Sequence, residues 1–263
     1  MSINIGGFIC SPPDPKDLIF ANTLLPKLIL ANGDIDLEEY CTDVSDQFNL
    51  SSCVSNAAAD AIELCNGVDG IDQIDVSRLQ IYFNGRSVMT TDSYTNESND
   101  DGGMYIRAAF KAMVTFGICP EAMWPYDSTR VNERPNASAI FYALKNKLHS
   151  YYSINTTGAN QLINIKQAIQ GSHPTVFGIP VTEAFRNGST DVIPPPKSGE
   201  KIYGLHGIMG MGCIAEAIKI RNSWGRTWSV GGYARLHQDW FNLGHVQDPW
   251  VPTRGLVFTK EDT

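Results

Sequence analysis

The chain has 263 residues, 43% hydrophobic and 18% charged, which is enough apolar material for a sizeable core and argues against long-range disorder. Lys plus Arg is 20 against 28 for Asp plus Glu, a formal charge of −8, which argues against a nucleic-acid or anionic-membrane surface. No apolar run reaches the roughly 18 residues of a membrane span, and Met1 to Pro12 lacks a basic segment followed by an apolar one. The expectation is therefore an intracellular or particle-associated protein without a secretory signal.

The six cysteines are Cys10, Cys41, Cys53, Cys65, Cys119 and Cys213. No two lie two to four residues apart, so zinc-type spacing is absent, and neither a metal nor a cofactor is expected. Six in a chain this long is far from the density of a disulfide scaffold. Most are expected to be small buried hydrophobes.

In chain order, residues 1 to 40 read as an arm. Ser11-Pro12-Pro13-Asp14-Pro15 forbids helix, Leu24 to Leu30 is a short apolar stretch, and Ala31-Asn32-Gly33-Asp34 is a turn. Asn56 to Leu64, following Ser51-Ser52, is Ala-rich with strong helical propensity, and Asn66-Gly67 suits its end. Ser77 to Met89 carries Leu79, Tyr82 and Phe83 at helical spacing, and Gly103 to Phe116 aligns Ile106, Ala109, Phe110, Met113 and Val114 on one stripe. A short helix, Gln161 to Gln170, is closed by Gly171. Apolar, β-branched runs follow at 175–181, 206–214, 217–221 and 232–236, punctuated by Gly and Pro. Helices first and strands second predict an α+β fold with two subdomains facing each other across a groove.

Four weak chemical signals stand out. Cys53 opens the Ala-rich helix, where the helix N-terminus would favour a thiolate nucleophile. His206 lies in Gly204-Leu205-His206-Gly207-Ile208, a setting that also suits a satisfied core histidine. Asn222-Ser223-Trp224-Gly225 offers an amide oxygen to hold an imidazole and an indole to shield that bond, although a turn with a buried Trp would look the same. Gln47 could add a side-chain N–H to the Cys53 backbone N–H as an oxyanion hole, or be an ordinary loop residue.

Taken together, Gln47, Cys53, His206 and Asn222-Ser223-Trp224-Gly225 resemble the signature of papain-like cysteine peptidases in order and spacing. Asp101-Gly102-Gly103 is similar to the glycine segment that pairs with substrate backbone. Trp124-Pro125-Tyr126-Asp127, Pro194 to His206 and Asn222 to Tyr233 also fit, especially compact bacterial and viral members. The resemblance implies a papain-like two-lobe α+β fold, with a helical lobe at 41–148 and an antiparallel β-barrel lobe at 149–263 flanking the active-site cleft. It implies Cys53 as nucleophile paired with protonated His206, Gln47 in the oxyanion hole, Asn222 orienting the ring and Trp224 covering it. Gly102, Gly103, Met104 and Trp224 would meet the substrate, a polypeptide, with Met104, Tyr105 and Phe185 candidates for lining the main pocket. A catalytically silent binding module, or an acyltransferase or transglutaminase using the same groups, are the alternatives, and exopeptidase trimming stays open.

Several positions depart from the family pattern. The usual Cys three residues before the nucleophile is Leu50, the following Trp is Val54, a flanking Gly is Ser51, and Gly207 follows His206 in place of Ala. No propeptide-type helical motif is visible before the catalytic block. The expectation is that the Pro-rich arm carrying Cys10 either crosses the groove and inhibits the enzyme as a zymogen segment, or packs behind the barrel.

Overall fold

The computed structural model describes residues 5–22, 33–71, 74–91, 101–188 and 191–253. The expected apolar segment Leu24 to Leu30 and part of the 31–34 turn lie outside these residues. The first lobe is built on helix α1, Cys53–Val68, whose residues from Cys53 to Asn66 are all buried. Small Ala side chains let neighbouring elements approach this helix on every side, which is why an Ala-rich helix suits the centre of the molecule. Helices α2 (Arg78–Thr91) and α3 (Ile106–Phe116) pack against it, and α4 (Ala137–Ala143) joins a smaller cluster with Leu50, Leu79, Cys119 and Trp124. The helix predicted from Gly103 begins three residues later. Gly103 has φ of +84°, and Met104–Tyr105 is instead a short strand.

That strand, β3, pairs in parallel with β1, Phe8–Ile9, at the start of the chain. The second lobe is an eight-stranded sheet. It contains β2 (Ile35–Asp36), β4 (Tyr151–Ser153), β5 (Thr175–Pro180), β6 (Val192–Ile193), β7 (Leu205–Ile214), β8 (Ala217–Arg221), β9 (Tyr233–His237) and β10 (Gln247–Pro252). The order is β4-β10-β5-β7-β8-β9-β6, with β2 also on β7, and every pairing is antiparallel except β6 with β9. Helix α5 (Gly158–Gln170) starts three residues before the predicted helix. Helices α6 (Glu183–Asn187) and α7 (Asp239–Asn242) are too short to leave a periodic signal. This is the two-lobe α+β architecture expected, with four of the seven α-helices before residue 150 and every strand longer than two residues after it.

None of the six cysteines forms a disulfide, and five are buried or half-buried, with Cys10 exposed. The lobes are held together partly by a buried ion pair. The Arg221 guanidinium on β8 lies 3.1 Å from Asp60 on α1, both side chains at most 2% exposed. Arg221 also donates to the Thr42 carbonyl at 2.9 Å and to the Asp43 carbonyl. The nearby Glu63 carboxylate accepts from the Thr42 hydroxyl and the Val76 N–H, and burial pushes it up to about 7. Breaking a buried pair from one side strands an uncompensated charge. Arg221→Met should therefore lower unfolding free energy by about 3–5 kcal/mol in urea titrations, and adding Asp60→Leu should recover part of that loss.

Candidate active site

Cys53 is the first residue of α1 and is fully buried. The loop before it is tightly folded: the Asp46 carboxylate accepts the Phe48 N–H at 2.7 Å, and Phe48 takes φ of +50°. Gln47 is thereby turned inward and fully buried. Its Nε2 donates to the Leu50 carbonyl at 2.9 Å, while its Oε1 accepts from the Ser223 hydroxyl at 2.7 Å. The Gln47 N–H donates to the Ser223 carbonyl and the Gly225 N–H to the Ser45 carbonyl, so residues 45–47 run as a miniature ladder against 223–225. That ladder carries the loop of one lobe onto the Asn222-Ser223-Trp224-Gly225 turn of the other.

His206 sits on β7, fully buried, with its Nε2 2.7 Å from Asn222 Oδ1. The Ser223 N–H also donates to Asn222 Oδ1, at 2.8 Å, which fixes the amide's orientation and makes Nε2 the protonated ring atom. His206 Nδ1 is buried with no hydrogen-bond partner among the described residues, leaving an acceptor for a thiol proton. The Gly207 N–H donates to Cys53 Sγ at 3.3 Å, so the sulfur rests against the backbone beside that ring. Trp224 lies over the imidazole, ring centres 4.6 Å apart, and Phe185 and Trp228 complete an aromatic wall. Phe185, predicted as a pocket residue, is fully buried in this wall.

The remaining predicted residues flank the groove. Gly102 is exposed, while Gly103 and Met104 are buried along the edge occupied by the arm. The arm enters the cleft itself. The Cys53 thiol points at the Gly6 carbonyl at 3.5 Å, and the Met104 N–H donates to the Gly7 carbonyl at 2.8 Å. Phe8 projects into the recess over Gly178, where a Cβ would stand 2.1 Å from its ring. Past the cleft, Ser11 donates to the Asp248 carboxylate, Asp17 pairs with Arg107 at 2.8 Å, and Ile19 bridges to Ser153 at the far sheet edge. The arm thus runs across the groove first and then contacts Asp248 and Ser153 of the barrel lobe and Arg107 of α3.

The described chain therefore brings Gln47, Cys53, His206, Asn222 and Trp224 into one site between the lobes. A family model for the papain family of cysteine proteases matches residues 32–251. The chain belongs to the papain family of cysteine proteases. It is 28% identical over 93% of its length to an uncharacterized peptidase C1-like protein of Acanthamoeba polyphaga mimivirus, spanning 88% of that protein. Among solved structures it is similar to xylellain, a cysteine protease from Xylella fastidiosa, with a TM-score of 0.80 and 25% identity, covering 96% of this chain and 97% of that one. The Amb a 11 cysteine protease of ragweed pollen, solved in its proform, shares the fold at a TM-score of 0.64 and 22% identity, covering 90% of this chain and 69% of that one. The protein is a cysteine-type peptidase of this family, and its polypeptide-cleaving class follows from that membership.

Within this papain-family site the electrostatics are those of a closed state. Burial pushes the Cys53 thiol up to about 12, outweighing the backbone N–H groups of Gly207, Val54 and Cys53 that favour the thiolate. Burial likewise pulls His206 down to about 4, against the opposing effect of Asn222. Both groups are neutral near pH 7, whereas the helix N-terminus alone predicts a thiolate. Gly6 of the arm lies against the sulfur, its carbonyl 3.5 Å away.

Sequence reasoning left out Ser223, which holds Gln47 and Asn222 in place although it lies inside the quoted turn. It also left out Tyr126, whose hydroxyl donates to the Gln47 carbonyl at 3.0 Å and lies 2.6 Å from Ser52 Oγ. Only its membership of the Trp124-Pro125-Tyr126-Asp127 block pointed to it. Among the described residues no group of three or more His, Cys, Asp or Glu is arranged to hold a metal ion.

The lowered His206 value has a signed consequence. Below its ordinary 6.5 the unfolded chain takes up a proton that folded His206 refuses until about pH 4. The stability this histidine contributes is complete above pH 6.5 and is lost as pH falls toward 4. Urea unfolding of wild type and His206→Gln at pH 7 and pH 4 should show the wild type losing about 3 kcal/mol more than the variant.

Proposed function

We propose that the chain hydrolyses peptide bonds through a covalent acyl-enzyme at Cys53, and that the segment crossing the cleft holds the described form inactive as a zymogen. The observation that carries this reading is the continuous line from Cys53 Sγ, through the backbone beside it, to a His206 ring fixed by Asn222 at 2.7 Å. With the arm displaced, water reaches the pair and lowers the cost of charge, so the thiol proton moves to His206 Nδ1. The thiolate then attacks the scissile carbonyl carbon. The Cys53 backbone N–H and Gln47 Nε2 stabilise the developing oxyanion. Imidazolium gives its proton to the departing amine as the carbon–nitrogen bond breaks, leaving a thioester. Neutral His206 next takes a proton from water as its oxygen attacks the thioester carbonyl; the carbon–sulfur bond breaks, the carboxylic acid leaves, and the thiolate–imidazolium pair is restored. Gly102, Gly103 and Met104 would hold the substrate backbone on the edge where β1 now lies, and Trp224 keeps water from the imidazole–amide bond.

Support for inhibition by the arm is chemical as well as steric. The Gly6 carbonyl accepts the thiol proton, and the covered pair stays neutral. A proform neighbour agrees with this reading, in that the ragweed protein was solved with its own pro-segment. Gly7 offers the test. Its φ is +114° and a Cβ there would lie 2.2 Å from the Ser51 carbonyl oxygen, so Gly7→Ala cannot keep the arm in place. At pH 6 the variant should alkylate at Cys53 with iodoacetamide at least about tenfold faster than wild type and gain activity on a fluorogenic peptide library. Gly7→Ala combined with Cys53→Ser should be inactive. Unchanged labelling would remove the arm from the account, and fast labelling without peptide cleavage would leave a binding module.

A further inference from the structure

Beside the nucleophile, one carboxylate joins a backbone N–H to a buried tyrosine hydroxyl. Asp101 Oδ1 accepts the Ser51 N–H at 2.9 Å, with Oδ2 at 3.2 Å from the same nitrogen. The same Oδ1 accepts the Tyr82 hydroxyl at 2.6 Å. Tyr82 Oη in turn accepts the Gly103 N–H at 3.1 Å. Ser51 belongs to the loop that presents Gln47 and Cys53, and Gly103 to the edge along which the arm runs. We propose that Asp101 and Tyr82 are positioning residues for catalysis, a hydrogen-bonded clasp that fixes the distance between the oxyanion loop and the substrate-binding edge. The proposal rests on the peptidase reading above and assigns to this clasp the registration of a bound peptide against the thiol.

Three further observations agree. Leu50 stands where the family's anchoring cysteine is expected, so the loop before the nucleophile has no disulfide here and needs another tether. Tyr82 is fully buried on α2, and Arg86 lies 4.2 Å over its ring while donating to the Val131 carbonyl and to Asn132, so the phenol cannot wander. Gly7 of the arm lies in the gap the clasp sets. A Cβ on Gly7 would meet the Ser51 carbonyl, and one on Gly103 would stand 2.4 Å from the Gly7 carbonyl. A gap only one backbone wide makes the separation of its walls decisive for whether a peptide bond reaches the sulfur. The Asp101 charge also opposes a thiolate at Cys53, so a carboxylate kept so near has a use that outweighs that drawback.

The two effects separate by substitution. Asp101→Asn removes the charge but keeps an oxygen that can accept from both Ser51 and Tyr82, whereas Asp101→Ala removes charge and acceptor together. Tyr82→Phe leaves the Ser51 bond and strips the Gly103 N–H of its partner. In the full-length chain we would measure Cys53 alkylation by iodoacetamide, which needs no backbone registration, and by a peptidyl chloromethyl ketone, which does. The ratio of the two rates cancels thiol acidity and arm opening and requires no turnover. Asp101→Ala and Tyr82→Phe should lower the peptidyl-to-iodoacetamide ratio by about tenfold or more, while Asp101→Asn stays within about threefold of wild type. Ratios unchanged in Asp101→Ala, or lowered equally in Asp101→Asn, overturn the clasp. A normal pattern of ratios in a chain that cleaves no peptide would instead overturn the peptidase reading and leave the clasp standing.

Discussion

The site depends on how closely the nucleophile helix meets the sheet. Gly207 is the point of contact: its N–H reaches Cys53 Sγ, and a Cβ at that position would lie 2.9 Å from Val54 Cγ2. A glycine following the histidine lets α1 seat directly on β7, with Val54 filling the space a larger residue would need. Sulfur and imidazole come from different lobes, so their separation is set by this contact rather than by either lobe alone. The Gln47–Ser223 bonds and the Arg221–Asp60 ion pair act at the same seam. Interlobe packing is thus the condition for catalysis, and the polar groups at the seam are placed to resist any slip.

Much of this was legible from residue types and spacing. The helix-then-strand division, the strand Ala217–Arg221 and the grouping of Gln47, Cys53, His206 and Asn222 all follow from local pattern together with the family signature. What could not be read was created by long-range contact. The two-residue strands β1 and β3 exist only because the arm returns to residue 104, and no periodicity marks a strand so short. Met104 and Tyr105 fall inside the helix predicted from Gly103, yet the left-handed backbone at Gly103 delays the helix until Ile106. Phe185 has the character of a pocket residue, but its place in the fold is set by Trp224 and Trp228, which lie some 40 residues away in sequence.

Electrostatics show the same division. A cysteine at a helix start is expected to be acidic, and the backbone N–H groups around Cys53 do push that way. Loss of water is the larger effect, and Gly6, far away in sequence, is among the residues that face the thiol. The absent disulfide is a comparable case. Leu50 joins a small apolar cluster with Leu79, Cys119, Trp124, Ala139 and Ala143, so its side chain packs into the fold at the position where the family pattern has a cysteine.

The recess that receives Phe8 makes the blocking segment a matter of molecularity. While Phe8 is joined to the rest of the chain, its ring competes for the space over Gly178 as a first-order process, independent of protein concentration. Dilution leaves that balance untouched, and a free peptide must exceed an effective concentration set by the tether to displace it. A single cut between Ile9 and the anchor at Ser11 would turn the same contact into a second-order one. The segment would then leave on dilution, without any change in the groove that had held it.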